Sequence, residues 1–125
     1  MSTSVPPADT LLLAAARYLE DELLPTLDGY HRFQTRVTVN VLRMVERELR
    51  LGDSQEGSAR ARLLALLGGT HREGPTTALD LELADAIRDG RMPIETPGLR
   101  QHLRAGLGES LAINNPKWTN PGHPP

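Results

Sequence analysis

Apolar residues recur at steps of three and four along most of this chain, the period of an amphipathic helix. Leu12, Ala15, Ala16, Leu19 and Leu23 form one such stripe and predict a first helix from an N-cap at Asp9 to about Leu24, where Pro25 and Gly29 end or bend it. From Tyr30 to Leu51 the positions Phe33, Val37, Val41, Leu42, Met44, Val45 and Leu49 cover more than half the circumference of a second helix. That helix is expected to lie centrally, with neighbours on two sides. Within it, Val37-Thr38-Val39-Asn40-Val41 is β-branched and alternating, and on propensity alone would read as a strand. The helical period on either side outweighs that local preference.

Leu51-Gly52 reads as a stop, and Ser54 as the cap of a third helix running through Leu67 to Gly68-Gly69. A loop, GGTHREGP, follows. A fourth helix is expected from Thr76 or Thr77 to Asp89, with Leu79, Leu83, Ala86 and Ile87 inward and Gly90 at C′. Thr96 as N-cap and Pro97 at N1 open a fifth, which carries Leu99, Leu103, Leu107 and Leu111 at strict four-residue spacing. Gly106, Gly108 and Ser110 beside that row weaken it as an isolated helix but let another backbone come close. Helix is excluded around Pro116, and the TNPGHPP end should fray. The pattern predicts an all-α, four- to five-helix bundle in a single domain: residues 1–8 a flexible lead, 9–118 the helical domain, 119–125 an extended C-terminal tail. The first two helices, joined by a short turn, should pair antiparallel, with Glu20, Asp21 and Glu22 beside Arg32 and Arg36.

A length of 125 residues suits one domain, and 38% hydrophobic with only 3% aromatic residues gives a core of Leu, Val, Ile and Ala. The net charge of -2 supplies no overall field for a nucleic acid or an anionic membrane. Thirteen of the fourteen cationic residues are Arg, which fits either fork-like recognition of anions or genome base composition. The chain has no Cys, which removes disulfides, thiolate metal sites and a Cys nucleophile. The opening MSTSVPPADT lacks a basic region and cleavage site, and Leu11 to Ala16 is too short to span a bilayer, so a cytoplasmic location is expected.

Specific chemistries can be argued against one by one. A di-iron bundle needs paired Glu-x-x-His units, and the nearest echo is a single Asp28-x-x-His31 across a helix junction. His71 in a loop, His102 beside Leu103 and His123 in the tail lack ligand spacing, with His102 expected to be partly exposed. There is no Gly-x-Ser-x-Gly elbow, no Walker A motif and no dinucleotide fingerprint. No cofactor is implied, and an enzyme acting alone is not expected.

Two features remain. Arg32, Arg36, Arg43, Arg47 and Arg50 share a broad stripe of the second helix, either an anion- or acidic-partner-binding face or a solvated face with local ion pairs. On a helical wheel Asn40 falls between Phe33, Val37, Met44 and Leu51, in line for burial, where an amide must find partners. Its role is then structural specificity or ligand binding. The second feature is AINNPKW after the last helix, expected to fold back with Trp118 as an apolar anchor and Asn114 and Asn115 satisfying helix-end carbonyls.

The segment Phe33-Gln-Thr-Arg36-Val-Thr-Val-Asn40-Val-Leu-Arg-Met-Val-Glu46-Arg47-Glu48-Leu, paired with Leu111-Ala-Ile-Asn-Asn115-Pro116-Lys-Trp118, resembles a bacterial family of short helical proteins classed as a domain of unknown function. The resemblance covers roughly Leu11 to Trp118. It implies association by gene neighbourhood with acyl-CoA dehydrogenases and aminoglycoside-phosphotransferase-like proteins, hence an accessory role, and it assigns no catalytic residue. The expectation is a non-catalytic interaction protein that contacts a protein partner, such as an acyl-CoA dehydrogenase or a phosphotransferase-like protein, or a second copy of itself as a homodimer. The alternative is a small-ligand or anion binder with a pocket near Arg36 and Asn40. Arg36, Asn40, Arg43, Arg47, Asn115 and Trp118 are the candidate contact residues for either role.

Overall fold

The computed structural model describes residues 5–69 and 73–119, with only the backbone of 118 and 119, and all regular structure among them is helical. Helix α1 spans Ala8–Tyr18, α2 Gly29–Leu67, α3 Thr76–Arg88 and α4 Leu99–Asn114. The all-α expectation therefore holds through the strand-like Val37 to Val41, which lies within α2. His71, His123 and residues 120–125 of the expected tail lie outside the described residues. The chain divides into two compact units, Met1–Gly52 and Asp53–Pro125.

In the first unit α1 is shorter than the apolar stripe suggested. Leu19–Leu23 forms a π turn and Leu24–Thr26 a 3-10 turn. Pro25 supplies the reason: its ring crowds the carbonyl four residues back, and a widened turn relieves that contact. The reversal is fastened by Arg32, whose Nη1 donates to the carbonyls of Leu24 at 3.0 Å and Leu27 at 3.4 Å. Arg32 is thus a clamp on the turn rather than a partner for the acidic run. Glu20 pairs instead with Arg43 at 3.1 Å, further along α2 than expected. Asp9, Thr10 and Leu13 lie near Arg43, Glu46, Arg47 and Arg50, so the helices run antiparallel. The buried side of this hairpin is small: Ala16, Leu24 and Val39, with Glu46.

Two expected helices are one. Leu51-Gly52 does not stop α2, and Gly52 and Gly57 both lie inside it without positive φ. An interior Gly costs only about 1 kcal/mol relative to Ala, less than continued helical hydrogen bonding returns. Ser54 is accordingly a helix-interior residue and caps nothing.

The second unit carries the larger core, with Leu63, Leu79, Leu83, Ala86, Met92 and Leu99 buried together and Leu64, Leu66 and Leu67 against them. Leu79, Leu83 and Ala86 of α3 face inward as expected, whereas Ile87 is exposed. Thr96 and Pro97 do not open α4. They form a turn closed by the Leu99 amide on the Thr96 carbonyl at 3.1 Å, and Gly98, with φ 89°, is the capping residue. The four-residue row of α4 also fails as a core stripe: Leu99 is fully buried, Leu103 and Leu107 are exposed, and Leu111 is half-buried. Four residues advance about 400°, so such a row drifts roughly 40° per step, and the inward face passes to His102 and Glu109. His102 is buried, not partly exposed. Pro116 opens a 3-10 turn, Pro116–Thr119, where a missing N–H is tolerated at the first position.

Candidate interaction site

The two sides of α2 within the first unit differ sharply. Toward α1 it presents Arg32, Thr35, Val39, Leu42, Arg43 and Glu46, half-buried or buried and spaced by three and four apart from the adjacent Leu42 and Arg43. At about 100° per residue, Tyr30, Val37 and Val41 fall on the opposite side, while the four-residue row from Phe33 through Val45 to Leu49 drifts across about 160° and carries Leu49 to the flank beside Leu42. All six are exposed, Tyr30 by 69%, Phe33 by 63% and Val41 by 51%. The expectation that this helix has neighbours on two sides is thus met on one side and open on the other. Solvent normally meets single apolar side chains, not a contiguous row along about five helical turns.

Asn40 belongs to this open side. It is exposed, not buried, because the hairpin packs through Val39, about 100° away around the helix. Arg36 is exposed as well.

Arg43 and Arg47 take a different position. With Arg50 they line a cleft of about 470 Å³ whose other walls are Asp9, Thr10, Leu13 and Glu46. The cleft lies against the first turn of α1, where backbone N–H groups are unpaired within the helix. Its cations are tied by local pairs, Arg43 to Glu20 at 3.1 Å and Arg50 Nε to Glu46 at 2.9 Å. Arg36 and Asn40 lie outside that lining, so the expected constellation divides. Asn115 is half-buried beyond α4 in the second unit, and the side chain of Trp118 lies outside the described residues.

A polar cluster in the second unit escaped the sequence reading. Arg62 of α2 donates through Nε to His102 Nδ1 at 3.0 Å and grips both carboxylate oxygens of Glu109, at 2.6 and 3.3 Å. Gln55 donates to the Glu109 carbonyl at 3.0 Å. Because Nδ1 accepts, the neutral imidazole carries its proton on Nε2. Burial, and after it the Arg62 cation, hold the His102 pKa below its ordinary value against the opposing pull of Asp80 and Glu109. The signal in the sequence was the spacing Leu99, His102, Glu109, at three and seven residues, which puts all three on one helix face. A small cleft of about 220 Å³ adjoins it, lined in part by Arg62, Gly98, Gln101 and His102. No three His, Asp or Glu side chains gather as a metal-ligand set among the described residues. No helix there is long and apolar enough to cross a membrane.

Against known proteins, the sequence model of the domain of unknown function DUF6285 matches residues 25–118. No curated protein and no solved structure matches the chain.

Proposed function

The chain belongs to the DUF6285 family, and we propose that it acts as a non-catalytic interaction protein whose working surface is the open side of α2. The observation that carries this reading is the group of exposed apolar residues Tyr30, Phe33, Val37, Val41 and Val45 on the side of α2 away from the face that packs on α1, with Leu49 on its flank. A group of this kind loses free energy of hydration until another apolar surface covers it. The partner class extends to an acyl-CoA dehydrogenase or an aminoglycoside-phosphotransferase-like protein, on the family resemblance, and to a cytoplasmic setting. The test is quantitative capture from native lysate by tagged chain against the same chain carrying Val37→Glu and Val41→Glu. Retention of a partner by the first and loss by the second supports the surface. Equal retention by both overturns it.

A second reading draws on the Arg43, Arg47 and Arg50 cleft, where three guanidiniums outnumber the lining carboxylates of Asp9 and Glu46 and an anion would compete with the pairs to Glu20 and Glu46. Here Arg43 and Arg47 replace Arg36 and Asn40 as the expected contacts. Pyrophosphate should then raise the melting temperature, and Arg47→Ala should remove the rise while Arg36→Ala leaves it. No rise in the unsubstituted protein would sink this reading.

A further inference from the structure

We infer that the occupant of the open side of α2 is a second copy of this chain, paired antiparallel about a two-fold axis near Val37 to Val41; the inference rests on the reading of that side as an interaction surface. Three observations converge on it.

The first is spacing. Tyr30, Phe33, Val37, Asn40 and Met44 follow one another at steps of three, four, three and four residues, the knobs-into-holes rhythm of one helix against another. The single polar member, Asn40, is exposed and central. One Asn in such a seam fixes register and oligomeric state at some cost in stability, a function it has only when a helix of defined register lies across from it.

Area is the second. Whole aromatic side chains present roughly 150–250 Å² each and aliphatic ones somewhat less, so the exposed parts of Tyr30, Phe33, Val37 and Val41, which lie within about 60° of that seam, come to on the order of 400 Å² per chain. Two such faces supply about 800 Å² of apolar area, and the flanking Arg36, Asn40 and Glu48 carry the contact toward the roughly 1,200 Å² of a specific interface. The hairpin buries only Ala16, Leu24 and Val39 as apolar residues, too little for an independent core, whereas two hairpins joined face to face make four helices around one.

Charge selects the direction. Parallel pairing would set Arg36 and Glu48 each against its own copy. Antiparallel pairing separates these like charges and carries Glu48 to the start of the partner copy's α2, where the helix dipole is positive.

The full chain should sediment as a dimer across roughly 1–100 μM, and Val37→Glu with Val41→Glu should weaken association by about 100-fold or more while far-UV circular dichroism is unchanged. If that variant fails to fold, cysteine scanning still decides, because the chain has no Cys. Under mild oxidation Asn40→Cys should yield a disulfide-linked dimer and Leu49→Cys should not, its two copies lying roughly 27 Å apart along an antiparallel seam. A monomer at the highest concentration, a dimer insensitive to the double substitution, or equal cross-linking at both positions overturns the inference. A monomer that nonetheless captures another protein through Val37 and Val41 sinks the self-pairing alone. A monomer that captures nothing sinks the interaction surface with it.

Discussion

The Nε–H of Arg62 points at Nδ1 of His102 from 3.0 Å, so a cation donates to an imidazole that must stay neutral to accept. Protonating His102 would place two donors and two positive charges face to face, at a position from which water is largely excluded.

The pH dependence of stability follows from the sign of that effect. The folded-state pKa of His102 lies below its ordinary value of 6.5, so between the two values the unfolded chain binds more protons. Stability therefore rises with pH through this window. The contribution is fully present above 6.5 and is lost as pH falls through the folded pKa. Urea midpoints taken between about pH 5 and 8 should show this slope, and His102→Gln should flatten it. An equal slope in the variant would assign the effect elsewhere.

Arg62 and Glu109 are each about a quarter exposed, which places their pair between the surface and buried cases. Arg62→Met alone should cost about 1–2 kcal/mol, because the Glu109 carboxylate then loses its partner. Adding Glu109→Leu should restore only the part due to the stranded carboxylate, since His102 Nδ1 still lacks the donor that Arg62 supplied. Chemical denaturation of the three proteins gives the comparison directly.

The continuity of α2 is open to a single-residue test. Gly52 has no heavy atom within 4 Å of an added Cβ and lacks positive φ. Gly52→Ala should stabilise the protein by about 0.5–1 kcal/mol, as in any helix interior. Were the helix to end there with Gly52 left-handed, the same change would destabilise. Gly98 provides the contrast: its φ of 89° makes Gly98→Ala cost about 1–2 kcal/mol.

The inward face of α4 can be read by truncation. Leu99→Ala should cost about 2–5 kcal/mol, as expected of a fully buried leucine, whereas Leu107→Ala, 66% exposed, should fall within about 0.5 kcal/mol of zero. Thermal or urea unfolding distinguishes the two.

The helical class and the position of α3 were legible because apolar period and a Gly-containing end agree there, as at Leu79, Leu83 and Gly90. What misled was local chemistry overridden by its surroundings. Gly52 and Ser54 look like a stop and a start, yet a helix crosses both. Leu99 to Leu111 looks like a core row, yet a four-residue repeat drifts off the axis that packing selects. For the candidate site, a wheel shows that α2 is apolar on more than one side but not which side a short hairpin will use. Val39 took the packed position, which left Asn40 and its apolar neighbours in solvent. In the polar cluster, His102 and Glu109 share a helix face by their seven-residue spacing, but the contact with Arg62, 40 residues before His102, is one that no local spacing reveals.

The π turn at Leu19–Leu23 amounts to one residue inserted into an otherwise regular helix. In an uninterrupted α-helix Leu24, eight residues after Ala16, would be rotated about 80° out of phase with it. The inserted residue takes up about 100° and returns Leu24 to the azimuth of Ala16, and both are buried. Deleting exposed Asp21 should therefore leave the phase of every later side chain unchanged, while deleting exposed Ala14 should turn Leu12 and Leu13 about 100° out of phase with Ala16 and Leu24. The segment is a phase corrector, and a length variant at this spot can be silent where the same variant about two turns earlier is not.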